Sequence, residues 1–191
     1  MIANTLFRNK KFEASIEYLE IMHQLMQSNQ KKYENAFKLK YHLLLALNFN
    51  YSNQQNKAIE VLEKHIEIAQ PEDIIFEAIG HCWEKKKLFQ KARYYYRQAS
   101  LLNPKDASIF FKIGETYTRE HQWEKAAKAF AVALHLDTNN AQYNMAIGNC
   151  LMHMNIPNEA VICYLNAVRI KPNIKTTWVA LIKSLYISKL F

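Results

Sequence analysis

The chain has 191 residues, half of them hydrophobic, with only three glycines, four prolines and three cysteines, and it carries a formal net charge of +8. A chain of this length buries a substantial core, and its few turn-forming residues beside abundant Ala, Leu, Glu, Lys and Gln leave little material for β-hairpins and favour an all-α fold. No run approaches the ~20 apolar residues that span a bilayer, MIANTLFRNKKFEA lacks the architecture of a secretory signal, and three cysteines without a CxxC pair suit a reducing compartment, so the expected location is intracellular and cytoplasmic.

The three glycines, Gly80, Gly114 and Gly148, stand 34 residues apart, and a unit numbered with glycine at position 8 organises the whole chain. At the N-terminus Ile2, Ala3 and Leu6 take positions 7, 8 and 11 of a first helix, and Phe12, Ser15, Leu19 and Met22 take positions 17, 20, 24 and 27 of a second. About nine extra residues around NQKKYENAFK must then precede the next unit, and they most simply lengthen two helices. The unit beginning at Leu39 is degenerate: Leu45, Ala46, Phe49, Ala58 and Leu62 stand at positions 7, 8, 11, 20 and 24, but His65 takes position 27.

Units beginning at Asp73, Ala107 and Ala141 agree closely. Position 7 is Ile79, Ile113, Ile147; position 11 is Trp83, Tyr117, Leu151; position 20 is Ala92, Ala126, Ala160. Position 24 is Tyr96, Phe130, Tyr164; position 27 is Ala99, Ala133, Ala167; position 32 is Pro104, Thr138, Pro172. A last unit from Lys175 supplies Trp178, Leu181 and Leu185 at positions 4, 7 and 11, with Phe191 at 17.

Positions 4, 7, 8 and 11 share one face of a 3.6-period helix, and 20, 24 and 27 one face of a second. Each unit therefore predicts two amphipathic helices joined by a short turn, the first ending near position 14. Pro157 falls near a helix start, and Pro104 and Pro172 fall beyond helix ends. A glycine inside the first helix costs roughly 1 kcal/mol relative to alanine. Close approach of the two helices, with Ile113, Tyr117, Ala126 and Phe130 packed around Gly114, is expected to offset that. The final stretch is apolar nearly all round, which implies a segment of a longer repeat array or self-association through residues 175–191.

This column pattern resembles the tetratricopeptide repeat, departing from it at Asn144 in position 4 and Thr138 in position 32. The resemblance implies an all-α, right-handed helical-repeat solenoid of antiparallel helix pairs, forming a single domain over 1–191. Its degenerate repeats would be 1–38 and 39–72, its well-matched repeats 73–106, 107–140 and 141–174, and its last helix 175–191. It also implies a concave groove lined by the first helices, where partners bind. The expected partner-binding residues are Glu77, His81, Phe111, Lys112, Glu115, Arg119, Met145, Asn149, Met152, Lys183 and Tyr186. Leu43 and Leu47 are instead expected to pack against second helices.

The Lys and Asn clamp by which one family variant grips a C-terminal carboxylate is absent: its positions hold Leu43 and Leu47, Glu77 and His81, Phe111 and Glu115, Met145 and Asn149. Only Asn149 resembles a clamp residue. Cys82, Cys150 and Cys163 occupy small-residue slots, and no metal-ligand spacing, phosphate loop or nucleophile motif is present, so neither cofactor nor catalysis is expected. The reading is a non-catalytic protein-interaction scaffold that binds a peptide or helix of a partner. The alternatives are a chaperone for secretion substrates and, less favoured, a basic nucleic-acid binder. Nucleic acid is disfavoured because the repeat assigns the aromatics to helix packing and spreads the basic residues along the chain, densest at Lys85, Lys86, Lys87, Lys91, Arg93 and Arg97.

Overall fold

The computed structural model describes residues 2–27, 35–70 and 72–189. Most of the insertion around NQKKYENAFK, and Leu190 and Phe191 of the last helix, lie outside the described residues. Among the described residues there are eleven helices and no strand: α1 Ile2–Arg8, α2 Phe12–Gln27, α3 Asn35–Tyr51, α4 Gln55–Ile68, α5 Asp73–Lys85, α6 Phe89–Leu102, α7 Ala107–Arg119, α8 Trp123–Leu136, α9 Ala141–His153, α10 Pro157–Ile170 and α11 Lys175–Ser188.

Each antiparallel pair is made by one left-handed residue. Lys10, Asn53, Lys87, His121 and Asn155 all have φ between 57° and 61°. All five fall at position 15 of their units. The amide that follows each closes back on the carbonyl five residues earlier: Lys11 to Leu6 at 3.0 Å, Gln54 to Phe49 at 2.8 Å, Leu88 to Trp83 at 3.0 Å, Gln122 to Tyr117 at 3.0 Å and Ile156 to Leu151 at 2.9 Å. This is the Schellman closure of a helix end. The last four of these residues are spaced at 34, whereas Lys10 and Asn53 are 43 apart (53 − 10), nine more. Two of the following first helices are capped by side chains: the Asp106 carboxylate accepts the Ser108 amide at 2.8 Å, and Asn140 Oδ1 accepts the Gln142 amide at 3.0 Å.

The chain divides into two compact units, Met1–Tyr95 and Tyr96–Phe191, with α6 running through the boundary. In the first, Ala3, Leu19, Leu45, Ala46, Phe49, Leu62, Ile75 and Ile79 form the core. Buried Ser15 donates its hydroxyl to the Ala3 carbonyl at 3.1 Å, tying α2 to α1. His65, where the three well-matched units have alanine, is buried with its Nδ1 2.9 Å from His42 Nδ1, one ring donating and the other accepting. Burial pushes the His65 pKa down, against a smaller opposing effect of the Glu72 charge. Leu43 packs against this core as expected, but Leu47 is exposed.

In the second unit the repeat glycines explain themselves. A Cβ on Gly114 would sit 2.9 Å from Phe130 Cζ and nearer still to two other ring atoms, and one on Gly148 would sit 2.7 Å from Tyr164 Cε1. Both rings are only 2% exposed and have nowhere to swing. The aromatic at position 24 thus lies flat on the first helix where the side chain is missing. Where position 24 is leucine, as at Leu19 and Leu62, position 8 is alanine, Ala3 and Ala46.

The buried stripe of the first helices is wider than the sequence pattern indicates. In the five units from Leu39 onward position 3 is buried, at Tyr41, Ile75, Ile109, Tyr143 and Thr177, and so is position 10, at Asn48, Cys82, Thr116, Cys150 and Ser184, whereas Thr5 at position 10 of α1 is exposed. In α11 Thr177 is buried while its neighbour Trp178, the expected core residue, is 44% exposed and donates its indole N–H to the Pro172 carbonyl at 2.7 Å. A first helix in a stack packs on both sides, so two adjacent stripes are covered rather than one. The polar residues at position 10 are accommodated by their own helix: Thr116 donates to the Ile113 carbonyl at 2.7 Å, Ser184 to Leu181 at 2.8 Å and Asn48 to Leu44 at 2.7 Å.

Candidate partner-binding groove

Because first helices recur every 34 residues, α7, α9 and α11 present equivalent faces, and in the second unit these bound a concavity of about 760 Å³. Phe111 and Glu115 line it from α7, Met145, Asn149 and Met152 from α9, and Lys183 from α11. Six of the expected residues are therefore brought together. Lys112, Arg119 and Tyr186 are not part of that lining, and Glu77 and His81 lie on α5 in the first unit. There His81 Nδ1 accepts from Asn50 Nδ2 at 2.9 Å, which leaves the other ring nitrogen as the proton-bearing one.

The floor of the concavity is α9, which carries no charged residue from Ala141 to Met152. Tyr164 rises beside it from α10 and donates its hydroxyl to Asn149 Oδ1 at 2.8 Å. Burial pushes the Tyr164 pKa up to about 12, so that this donor keeps its proton. Thr177 donates to the Met145 sulfur at 3.5 Å, placing the thioether on the floor. Phe111 is less available than its position in the pattern implies, since its ring is held 5.1 Å from each of Phe130 and Tyr143. The α11 wall adds Thr176, Val179, Ala180 and Ile187.

Phe130 and Tyr164, which their repeat positions assign to packing, also reach the concavity, and so does Trp123 at position 17, which was not among the expected groove residues. Trp123 lies flat against His153, ring centroids 4.0 Å apart at 6°, and the same two repeat positions meet in the first unit as Phe12 stacked on Tyr51 at 5.6 Å. An aromatic at position 17 facing a ring at position 13 of the next unit is the signal that would have found it.

Chemistry at the thiols is suppressed. Burial pushes Cys150 up to about 11 and Cys82 up to about 12, leaving protonated thiols rather than nucleophiles. Among the described residues no group of three or more His, Cys, Asp or Glu is placed to hold a metal, and no helix is long and apolar enough to cross a membrane. Within the densest basic cluster, Lys86 and Lys91 stand over the Trp83 ring at 4.6 and 4.4 Å, engaged in cation–π contacts.

These observations define a helical-repeat protein of the all-α solenoid class. Residues 141–174 match the tetratricopeptide repeat model, and the chain has the tetratricopeptide repeat fold. It is 33% identical over 112 residues to the general transcriptional corepressor trfA of Dictyostelium discoideum, a match covering 55% of this chain and 8% of that protein. Among solved structures it is similar to the C-terminal part of a tetratricopeptide-repeat protein from Cytophaga hutchinsonii, with a TM-score of 0.80 at 15% identity over 98% of this chain and 70% of that one. It is also similar to MamA, with a TM-score of 0.73 at 17% identity over 90% and 95% of the two chains. The chain thus spans about a tenth of its corepressor relative's length.

Proposed function

We propose that the chain is a protein–protein interaction scaffold, and that the groove of its second unit binds a peptide or helix of a partner protein without doing chemistry. The repeats would run 39–72, 73–106, 107–140 and 141–174, with a longer first repeat over 1–38 and a further first helix in 175–191. The observation that carries this reading is the uncharged floor of α9, faced by Phe111 from α7 and by Val179, Ala180 and Ile187 from α11, with Glu115 and Lys183 as the charged residues of the two walls: the floor accepts apolar side chains without burying an unpaired charge. Met145 and Met152 suit such a surface, because a flexible thioether adapts to the shape placed on it. A corepressor relative fits a protein that works by holding others.

The test is affinity capture from the native cell with the wild-type chain and with Val179→Glu. Val179 lines the groove yet is 65% exposed, so a charge there leaves the core intact. Partners lost with Val179→Glu at unchanged helicity support the groove; the same partners retained equally well would sink it.

A further inference from the structure

We propose that the outward stripe of α11 docks an acidic amphipathic helix of a partner protein, and that Ile182 on this stripe demands a glycine, alanine or serine at the middle of that helix. The surface lies outside the groove, and the proposal does not depend on the groove reading.

Lys175, Trp178, Ile182, Leu185 and Lys189 follow one another at steps of three and four residues, so they share one stripe about 21 Å long. The opposite stripe, Thr177, Leu181 and Ser184, is buried. All five residues of the outward stripe are exposed, Ile182 at 63%, and none lines the groove. In α9 the equivalent positions 4, 8 and 11 are Asn144, Gly148 and Leu151, and all three are buried. There Leu151 packs with Ala160 and Tyr164 of α10, and the Tyr164 ring lies on Gly148. Where this face is covered, a helix covers it. An apolar row of this kind, rimmed by charge, is a surface for an amphipathic helix.

Ile182 says which helix. Position 8 is glycine beneath Phe130 and Tyr164, and it is alanine where position 24 is Leu19 or Leu62. The larger the residue laid on position 8, the smaller the residue that occupies it. Isoleucine at that position reverses the relation and leaves room for a small residue alone. A tyrosine or leucine there would hold the two helices apart.

Charge says whose helix. Two lysines bracket the apolar row, and from residue 138 to 189 the only acid is Glu159, against Arg169, Lys171, Lys175, Lys183 and Lys189. A second copy laid on the stripe would set Lys175 against Lys189 if antiparallel and Lys175 against Lys175 if parallel, a like-charge contact either way. An acidic helix satisfies both lysines. Running antiparallel to α11, as α10 runs to α9, it would bring its first turn to Lys189, where its own dipole also favours an acid.

A phage-displayed library patterned on α10, with the residues that face α9 and both terminal turns randomised, is selected on the wild-type protein and separately on Ile182→Gly. Wild type should enrich Gly, Ala or Ser at the place of Tyr164 and acids in the first turn, whereas Ile182→Gly should enrich Tyr, Phe or Leu at that place. The most enriched wild-type peptide, synthesised with a fluorescent label, is the probe for anisotropy titrations. Ile182→Glu should weaken it by about tenfold or more, and Lys175→Glu with Lys189→Glu by about fivefold at low salt. Ile182 is exposed, so circular dichroism should be unchanged; Leu185→Glu repeats the test on the same stripe if it is not. No enrichment, an aromatic at the place of Tyr164 on wild type, a basic probe, or a probe that Ile182→Glu and Leu185→Glu both retain would overturn the proposal. Light scattering should show a monomer at all concentrations. A dimer that Ile182→Glu dissolves would give the stripe to a second copy and overturn the acidic helix.

Discussion

At the scale of single residues, the pairing of position 8 with position 24 is a size constraint that can be broken and restored. Gly114→Ala gains helix propensity of roughly 1 kcal/mol but drives a methyl into the Phe130 ring. Overpacking of this kind costs about 1–3 kcal/mol, so the expected outcome in urea unfolding is a net loss. Adding Phe130→Leu should recover part of it, since the chain itself pairs alanine with leucine at Ala46 and Leu62. A Gly114→Ala variant more stable than the wild type would show that the ring moves aside. The glycines were legible from their spacing; the ring that fills the vacancy was legible only as another column of the same pattern.

His65 gives a second residue-scale prediction. Its folded pKa lies below the ordinary value of about 6.5, so the unfolded chain binds the proton more readily. The stability of the first unit should hold above pH 7 and fall as pH drops through 6.5 toward the folded pKa. Unfolding followed by urea at pH 7.5 and pH 5.5 should show the fall. His65→Ala, which restores the residue of Ala99, Ala133 and Ala167, should flatten it.

At the scale of elements, the sequence located the helices well. The first helix of each unit was expected to end near position 14, and α5, α7 and α9 end at Lys85, Arg119 and His153, position 13 in each case. What it did not disclose was the left-handed residue. Lysine and histidine occupy that conformation at Lys10, Lys87 and His121, where glycine would have announced it. Because asparagine tolerates this conformation better and serves the same turn at Asn53 and Asn155, Lys87→Asn should stabilise the fold by about 0.5–1 kcal/mol. Asp106→Ala should do the opposite by about 1 kcal/mol, through loss of the cap on the Ser108 amide. Chemical unfolding of both variants tests the turn and the cap. The buried stripe was read too narrow for a related reason: a pattern from one helix shows a hydrophobic face, but not how many neighbours share it. Thr177, Thr116 and Ser184 are polar residues that the stack buries on its second side.

At the scale of the molecule, a repeat makes architecture legible and recognition obscure. Columns that recur every 34 residues specify packing, whereas a binding surface is written in the columns that differ. Six of the residues expected in the groove line it together, because they come from equivalent faces of α7, α9 and α11. Lys112, Arg119 and Tyr186 escaped that lining, and Trp123 and Tyr164 joined it, because side-chain length and rotamer decide which neighbours of a groove reach into it. The change from Phe130 to Tyr164 looked like a neutral exchange of aromatics in the sequence. It is one hydroxyl, and that hydroxyl meets Asn149.

The central claim is that partners bind on α9 between α7 and α11. Methionine-methyl NMR of the labelled chain, with and without a partner captured from the native cell, tests it most directly. Met145 and Met152 line the groove, and Met22 on α2 of the first unit serves as the internal reference. The account predicts that partner binding shifts or broadens the methyls of Met145 and Met152 and leaves Met22 unmoved. A partner that bound tightly, moved Met22 and left the two groove methyls unchanged would contradict it.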